Sequence, residues 1–169
     1  ILPSGVLGSL LSKVKDGEKL FGTLAGVKET EVNSRQANNL VMFGYELNLR
    51  IADGTEVKII DNEEDVDVGT RQAPGLLMVK RSDFEKVNGY NSQLDGWGWE
   101  DQDMICRLTL EGKITRLNYG TAFHISHDDK ARMQGYHNYE DRWHSRDKMF
   151  RRALANYDNN LFLGSYKQD

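Results

Sequence analysis

The sequence predicts a mixed α and β fold, on three observations. Val6, Leu7, Leu10, Leu11 and Val14 recur at the spacing of one helical face. Val41, Phe43, Tyr45, Leu47, Leu49 and Ile51 alternate with smaller or more polar residues, the two-residue period of a half-buried strand. Helical and strand patterns then continue to interleave along 169 residues without an internal repeat, so one domain over 1–169 is the expectation.

Taken in order, Ser4 is placed to cap a helix over 5–15, and FGTLAGV reads as a short strand. The strand around LVMFGYELNLRI turns at Asp53-Gly54 into EVKII, a hairpin signal. DNEEDVD reads as a solvated acidic loop, and GLLMVKR as a buried strand. Ser82 with Glu85 spells a capping box for a short helix closed by Asn88-Gly89. A second helix from about Glu100 to Gly112 should bury Met104, Ile105 and Leu108. KITRL and GTAFHI are short strands, followed by a loop with several His and Asp residues. A final helix around 139–156 should bury Trp143, Phe150, Ala153 and Leu154.

Composition narrows the function classes. A formal net charge of −4, with no Lys/Arg cluster longer than a pair, argues against nucleic acid or an anionic membrane as partner. No apolar run reaches the roughly 20 residues of a membrane span, and no signal peptide opens the chain. Cys106 is the only cysteine, so no internal disulfide forms, which suits a reducing compartment. The chain opens on Ile1, which suggests a fragment of a larger protein.

The stretch DGWGWEDQD, residues 95–103, carries the chemistry. Trp97 and Trp99 can pack beneath their loop, or one indole can serve as a platform for the C–H face of a sugar ring. Gly96 and Gly98 allow a sharp turn and close approach of a ligand. Glu100, Asp101 and Asp103 stand at a helix start, where the dipole favours carboxylates and tends to keep them ionised. An ionised carboxylate beside a sugar platform is what a general base needs to take a proton from an attacking hydroxyl.

The run APGLLMVKRSDFEKVNGYNSQLDGWGWEDQDMICRLTLEGKITRLN resembles the catalytic C-terminal part of the β4-galactosyltransferases and the bacterial chondroitin-polymerase-type glycosyltransferases. The likeness spans residues 72–150 and rests on F-x-x-V-N-G-Y, G-W-G-x-E-D-x-D, then R-L and a glycine-ended helix. It implies the C-terminal portion of a GT-A fold, a mixed sheet flanked by helices. It also implies an inverting, metal-dependent transferase in glycan or polysaccharide biosynthesis, taking galactose or N-acetylgalactosamine from a UDP-sugar to a glycan acceptor. Asp101 matches the catalytic base. Trp97 and Glu100 match positions that hold acceptor or donor, and Asp103 is a further acid of the motif. Trp99 stands where the galactosyltransferases usually have a small residue, which implies a differently shaped acceptor pocket. Gly75 matches one of a glycine pair beside the donor, with Pro74 in place of the other, and Gln72 falls where donor choice is tuned.

The resemblance further implies a divalent cation, usually manganese, to neutralise the departing diphosphate. His127 best fits the family's metal histidine by its spacing to HDDK and YEDRW, with His124 as second candidate. On one strand the two would face opposite sides. His137 and His144 read as loop and helix-surface residues. The remaining metal ligands in the family come from an Asp-x-Asp motif, which ILPSG would directly follow, placing it upstream of Ile1. Asp65 to Asp67 have the letters, yet they lie in an acidic loop and read as a decoy. One free cysteine and no anchor lean to a cytoplasmic microbial enzyme, whereas animal members of the family work in the Golgi lumen. Two other classes remain: a carbohydrate-binding module that keeps only the Trp97 platform, and a metal hydrolase using His124, His127 and neighbouring acids.

Overall fold

A computed structural model describes residues 1–30, 44–62, 70–125 and 127–166. The element order is α1 (Val6–Asp16), β1 (Leu20–Glu29), β2 (Gly44–Arg50), β3 (Glu56–Asn62), β4 (Thr70–Met78), α2 (Arg81–Lys86), α3 (Glu100–Leu110), β5 (Thr115–Asn118), β6 (Thr121–His124), α4 (Asp129–Met133) and α5 (Arg142–Asp158). The expected mixed α/β character is present. Two compact units divide the chain, one of residues 1–80 and 114–126, the other of residues 81–113 and 127–169.

The first unit is built on β1. It pairs antiparallel with β4 and parallel with both β5 and β6, so its four-stranded sheet is mixed. β5 and β6 occupy successive stretches of the same side of β1, Leu20–Thr23 and Gly26–Glu29. They meet at Gly120, whose φ of +74° suits glycine and whose carbonyl accepts from Ala25 N–H. Leu24, Val27, Ala73 and Ala122 form a buried cluster there, with Val6 of α1 against it. Leu10 and Val14 press α1 onto the strand at Gly22, where a methyl group would come within 2.5 Å of the Leu10 side chain. β2 and β3 form a separate hairpin across Asp53-Gly54, with Val57 and Ile59 on its buried face.

Between Ala73 and Leu77 the ladder steps four residues along β4 against one along β1, from Leu24 to Thr23. Pro74, Gly75 and Leu76 therefore bulge out of register, as expected where proline cannot donate to a ladder. The strand expected from Gly75 onward thus begins earlier and carries this bulge near its middle.

The second unit joins α2, α3, α4 and α5 with a C-terminal strap. Val87, Met104, Ile105, Leu108, Met149 and Ala153 are buried in it. Asn88 and Gly89 end α2 with φ of +57° and +64°. The strap then lies along them: Gly164 N–H donates to Val87 O, Tyr166 N–H to Asn88 O and Ser165 N–H to Tyr90 O. No helix among the described residues is long and apolar enough to cross a membrane.

Several local expectations need correction. α1 is preceded by Gly5 with φ +82° and has no side-chain cap, so Ser4 does not cap it. Leu7 and Leu11 are exposed because the stripe that meets the sheet is Val6, Leu10 and Val14. α2 begins at Arg81, which puts Ser82 inside the first turn, and Glu85 binds Arg81 rather than closing a capping box. The His/Asp loop contains α4, capped by Asp128 onto Ala131 N–H. α5 starts at Arg142 behind Asp141; Ala153 is buried as expected, but Trp143 is 40% exposed, and Arg142, Ser145 and Met149 are the other buried residues. The strand residues at 40–43 and the acids Asp65 and Asp67 lie outside the described residues.

Gly164 supports a direct test. A methyl group there would meet the carbonyl oxygens of Gly89, Asn88 and Tyr90 at 2.2, 2.5 and 2.6 Å, all backbone. Gly135 has open space. Gly164→Ala is expected to lower the melting temperature by several degrees, on overpacking costs of about 1–3 kcal/mol, while Gly135→Ala leaves it nearly unchanged. Thermal unfolding followed by circular dichroism reads the difference; equal melting temperatures would mean that the strap is not packed as described.

Candidate functional site

The loop from Asp95 to Trp99 is held by α5, residue by residue. The Asp95 carboxylate accepts from the Tyr139 hydroxyl at 2.8 Å and from Arg152, and these bonds hold its pKa below the usual aspartate value. Gly96 N–H reaches the Met149 sulfur at 3.2 Å, and Trp97 N–H donates to Ser145 Oγ at 2.7 Å. A side chain at Gly96 would come within 2.6 Å of that same hydroxyl. Ser145, Met149 and Arg152 follow at helical spacing, so one stripe of α5 receives the loop.

The loop then enters α3 abruptly. Gly98 takes φ +91° and Trp99 takes φ +73°. A left-handed tryptophan is costly and persists only where packing over-determines it. Here its ring is 4% exposed and meets Phe150 edge-on, centroids 4.5 Å apart. Of the two expected uses of the indoles, Trp99 therefore takes the packed one. Trp97 is half-buried.

Asp103 is likewise internal. Its carboxylate binds Arg107 Nε at 2.8 Å, both side chains 1% exposed, and accepts from the Tyr157 hydroxyl at 2.7 Å. Arg107 Nη1 donates to Val87 O at 3.2 Å and also to Gly89 O. Burial pushes the Tyr157 phenol well up, helped by Cys106 and Asp103, so it remains a donor.

Glu100 and Asp101 are the half-buried acids that remain, both in the first turn of α3. Burial raises the Glu100 pKa, and the charge of Asp101 adds to it, reaching about 7 against the hydrogen bonds that lower it. Burial also raises Asp101. For Glu100 the expectation that the helix dipole keeps the carboxylate ionised is thus corrected: desolvation outweighs the dipole. Glu100 Oε2 is buried without a hydrogen-bond partner among the described residues. The Tyr90 phenol feels both acids, since after burial their charges are what raise its pKa.

The other candidates fall in the first unit or at the edge of the second. Gln72 is half-buried on β4 and Gly75 is exposed in its bulge. His124 closes β6, opposite Glu29 in register, and is half-buried; His127 is exposed just before the Asp128 cap. Among the described residues no three His, Cys, Asp or Glu side chains group closely enough to hold a metal ion. The described residues therefore do not complete a metal-binding set. Sequence reasoning missed Tyr90, Tyr139, Arg142, Ser145, Met149 and Arg152. The last four share one helical stripe, the signal that could have revealed them, but its polar members read as a solvated face.

One comparison with known proteins falls on this region. The family described as the N-terminal domain of galactosyltransferase matches residues 67–128. Beta-1,4-galactosyltransferase 7 of Drosophila melanogaster is 37% identical over 57 residues, 31% of this chain and 18% of that protein. The match thus spans less than a fifth of that relative. No solved structure matches the chain.

The raised Glu100 pKa gives stability a pH dependence. The unfolded glutamate ionises near 4.5 and the folded one near 7, so the folded state holds the extra proton between those values. The penalty is absent well below pH 4.5, grows as pH rises and is complete above about 7, reaching up to about 3 kcal/mol. Glu100→Gln should therefore raise the urea midpoint at pH 8 and change it little at pH 4. An equal gain at both pH values would assign the effect to packing instead of charge.

The segment of residues 67–128, which contains every candidate from Gln72 to His127, is thus similar to the galactosyltransferase family.

Proposed function

We propose that the chain is the acceptor-side part of an inverting, metal-dependent glycosyltransferase. It would move galactose or N-acetylgalactosamine from a UDP-sugar to a glycan acceptor, with Asp101 as general base. The observation that carries this reading is the pair of half-buried carboxyls, Glu100 and Asp101, in the first helical turn after a Trp97 loop fixed by α5.

In this reading the acceptor ring lies against the Trp97 indole. Its hydroxyl gives a proton to the Asp101 carboxylate as the oxygen attacks the anomeric carbon. The new C–O bond forms as the bond to the diphosphate oxygen breaks on the opposite face, and UDP leaves with that electron pair. A base whose pKa is raised toward working pH takes the proton more readily, which suits the buried position of Asp101. Glu100, near half-protonated at neutral pH, can donate to or accept from a second acceptor hydroxyl. Asp103 and Trp99 support the loop from within, and Gln72 and Gly75 serve the donor side. Manganese, when bound, would supply charge stabilisation at the diphosphate, with His127 and then His124 as ligand candidates. Since the described residues do not complete that set, no step here runs through the metal.

The test is UDP release from UDP-galactose and UDP-N-acetylgalactosamine with mixed sugar acceptors, with and without manganese. Acceptor-dependent release that needs manganese is expected, and Asp101→Asn should reduce it at least about 100-fold with the circular dichroism unchanged. An Asp101→Asn variant as active as its parent would remove Asp101 from the role. Sugar binding without turnover, unaffected by Asp101→Asn, would instead point to a binding module.

A further inference from the structure

Arg142 stands in a poor place for a cation. It opens α5, where the helix dipole presents its positive end, and it is only 5% exposed. Burying a guanidinium costs several kcal/mol before compensation. The neighbouring Asp141 carboxylate caps the helix, accepting from His144 N–H at 2.8 Å. Two indoles lie within reach of the Arg142 guanidinium carbon: the Trp143 ring centroid is 4.2 Å away, and that of Trp97 is 5.9 Å away. Both distances are within the range of cation–π attraction, and guanidinium is suited to stacking on aromatic faces.

The same helix face already fixes the Trp97 backbone. Ser145, three residues after Arg142, accepts from Trp97 N–H. Backbone and ring of Trp97 are thus each addressed from one stripe of α5, by a hydroxyl and by a planar cation. We infer that Arg142 is a positioning residue: its guanidinium, backed by Trp143, sets the plane in which Trp97 meets the acceptor sugar. This rests on the reading of Trp97 as a sugar platform and adds the residue that orients it. A buried charge kept for orientation has a recognisable signature. Replacing it with an apolar chain of similar length removes the planar cation and loosens the ring it oriented.

The experiment compares the parent chain with Arg142→Met, Arg142→Lys and Trp97→Ala. It measures binding of a panel of methyl β-glycosides by NMR titration, melting temperature, and KM and kcat where turnover is detectable. Arg142→Met is expected to weaken glycoside binding roughly 3- to 30-fold. Arg142→Lys, which restores a cation without the planar fork, should recover part of the loss. In turnover the change should fall on the acceptor KM, with kcat largely kept. Unchanged binding in Arg142→Met, or a loss in which Lys fares no better than Met and both melt earlier, would overturn the positioning role while Trp97 dependence still stood. Binding that survives Trp97→Ala, or no binding by the parent to any glycoside, would overturn the platform itself, and the role of Arg142 with it.

Discussion

The buried ion pair between Asp103 and Arg107 is the interaction on which the second unit depends. It spans one turn of α3, yet its other bonds leave the helix. Arg107 binds the carbonyls of Val87 and Gly89, and Asp103 accepts from Tyr157 of α5. Val87 O in turn also accepts from Gly164 N–H, so the C-terminal strap is tied to the same knot. Such a pair adds little net stability over apolar packing, but removing one member leaves a buried charge and costs about 3–5 kcal/mol. Its value lies in specificity: it dictates where α3 sits against the segment after α2 and against the end of α5.

With α3 fixed at its first turns, the loop before it has few choices. Trp99 must supply the first helical carbonyl, to Asp103 N–H at 2.8 Å, and does so from a left-handed conformation. Packing against Phe150 supports that strain, and Gly98 takes the preceding positive φ without penalty. Upstream, Asp95, Gly96 and Trp97 are each bonded to α5 or to Tyr139 before it. Asp95, Gly96 and Trp97 are thus each held by hydrogen bonds and Trp99 by packing, and a sugar site on the loop would be organised before a ligand arrives, which lowers the ordering cost of binding.

How much of this was legible depended on how local the cause was. The helix at 100–110, the hairpin at Asp53-Gly54 and the paired short strands follow from periodicity and turn residues within a few positions. Ser4 and Ser82 have the right letters for caps, but Gly5 and Arg81 decide where those helices begin. Leu7 and Leu11 show the limit of an amphipathic pattern: periodicity named five residues for a face, and the narrow contact with the sheet used three, Val6, Leu10 and Val14. Within the site, the acids and tryptophans were readable because their chemistry is concentrated in nine residues. Their supports were not, since Ser145, Met149 and Arg152 lie 48 to 57 positions away and two are polar residues on a charged helix. Nor could spacing show that Asp103 turns inward while Asp101, two residues earlier, remains half-buried.

The distinction among the three acids is what makes the turn chemically useful. Asp103 has a guanidinium and a phenol, so its charge is committed. Glu100 and Asp101 are adjacent, partly desolvated and of like charge, so ionising both is unfavourable. Burial and mutual repulsion fall most heavily on Glu100, whose pKa rises to about 7. Near neutrality Glu100 is therefore close to half-protonated, which leaves a carboxyl able to donate a hydrogen bond beside the Asp101 carboxyl. A hydroxyl approaching such a pair can give its proton to one carboxyl and accept a hydrogen bond from the other. The helix dipole, the feature most visible in the sequence, favours negative charge at this turn; desolvation by the surrounding fold opposes it and raises Glu100 to about 7.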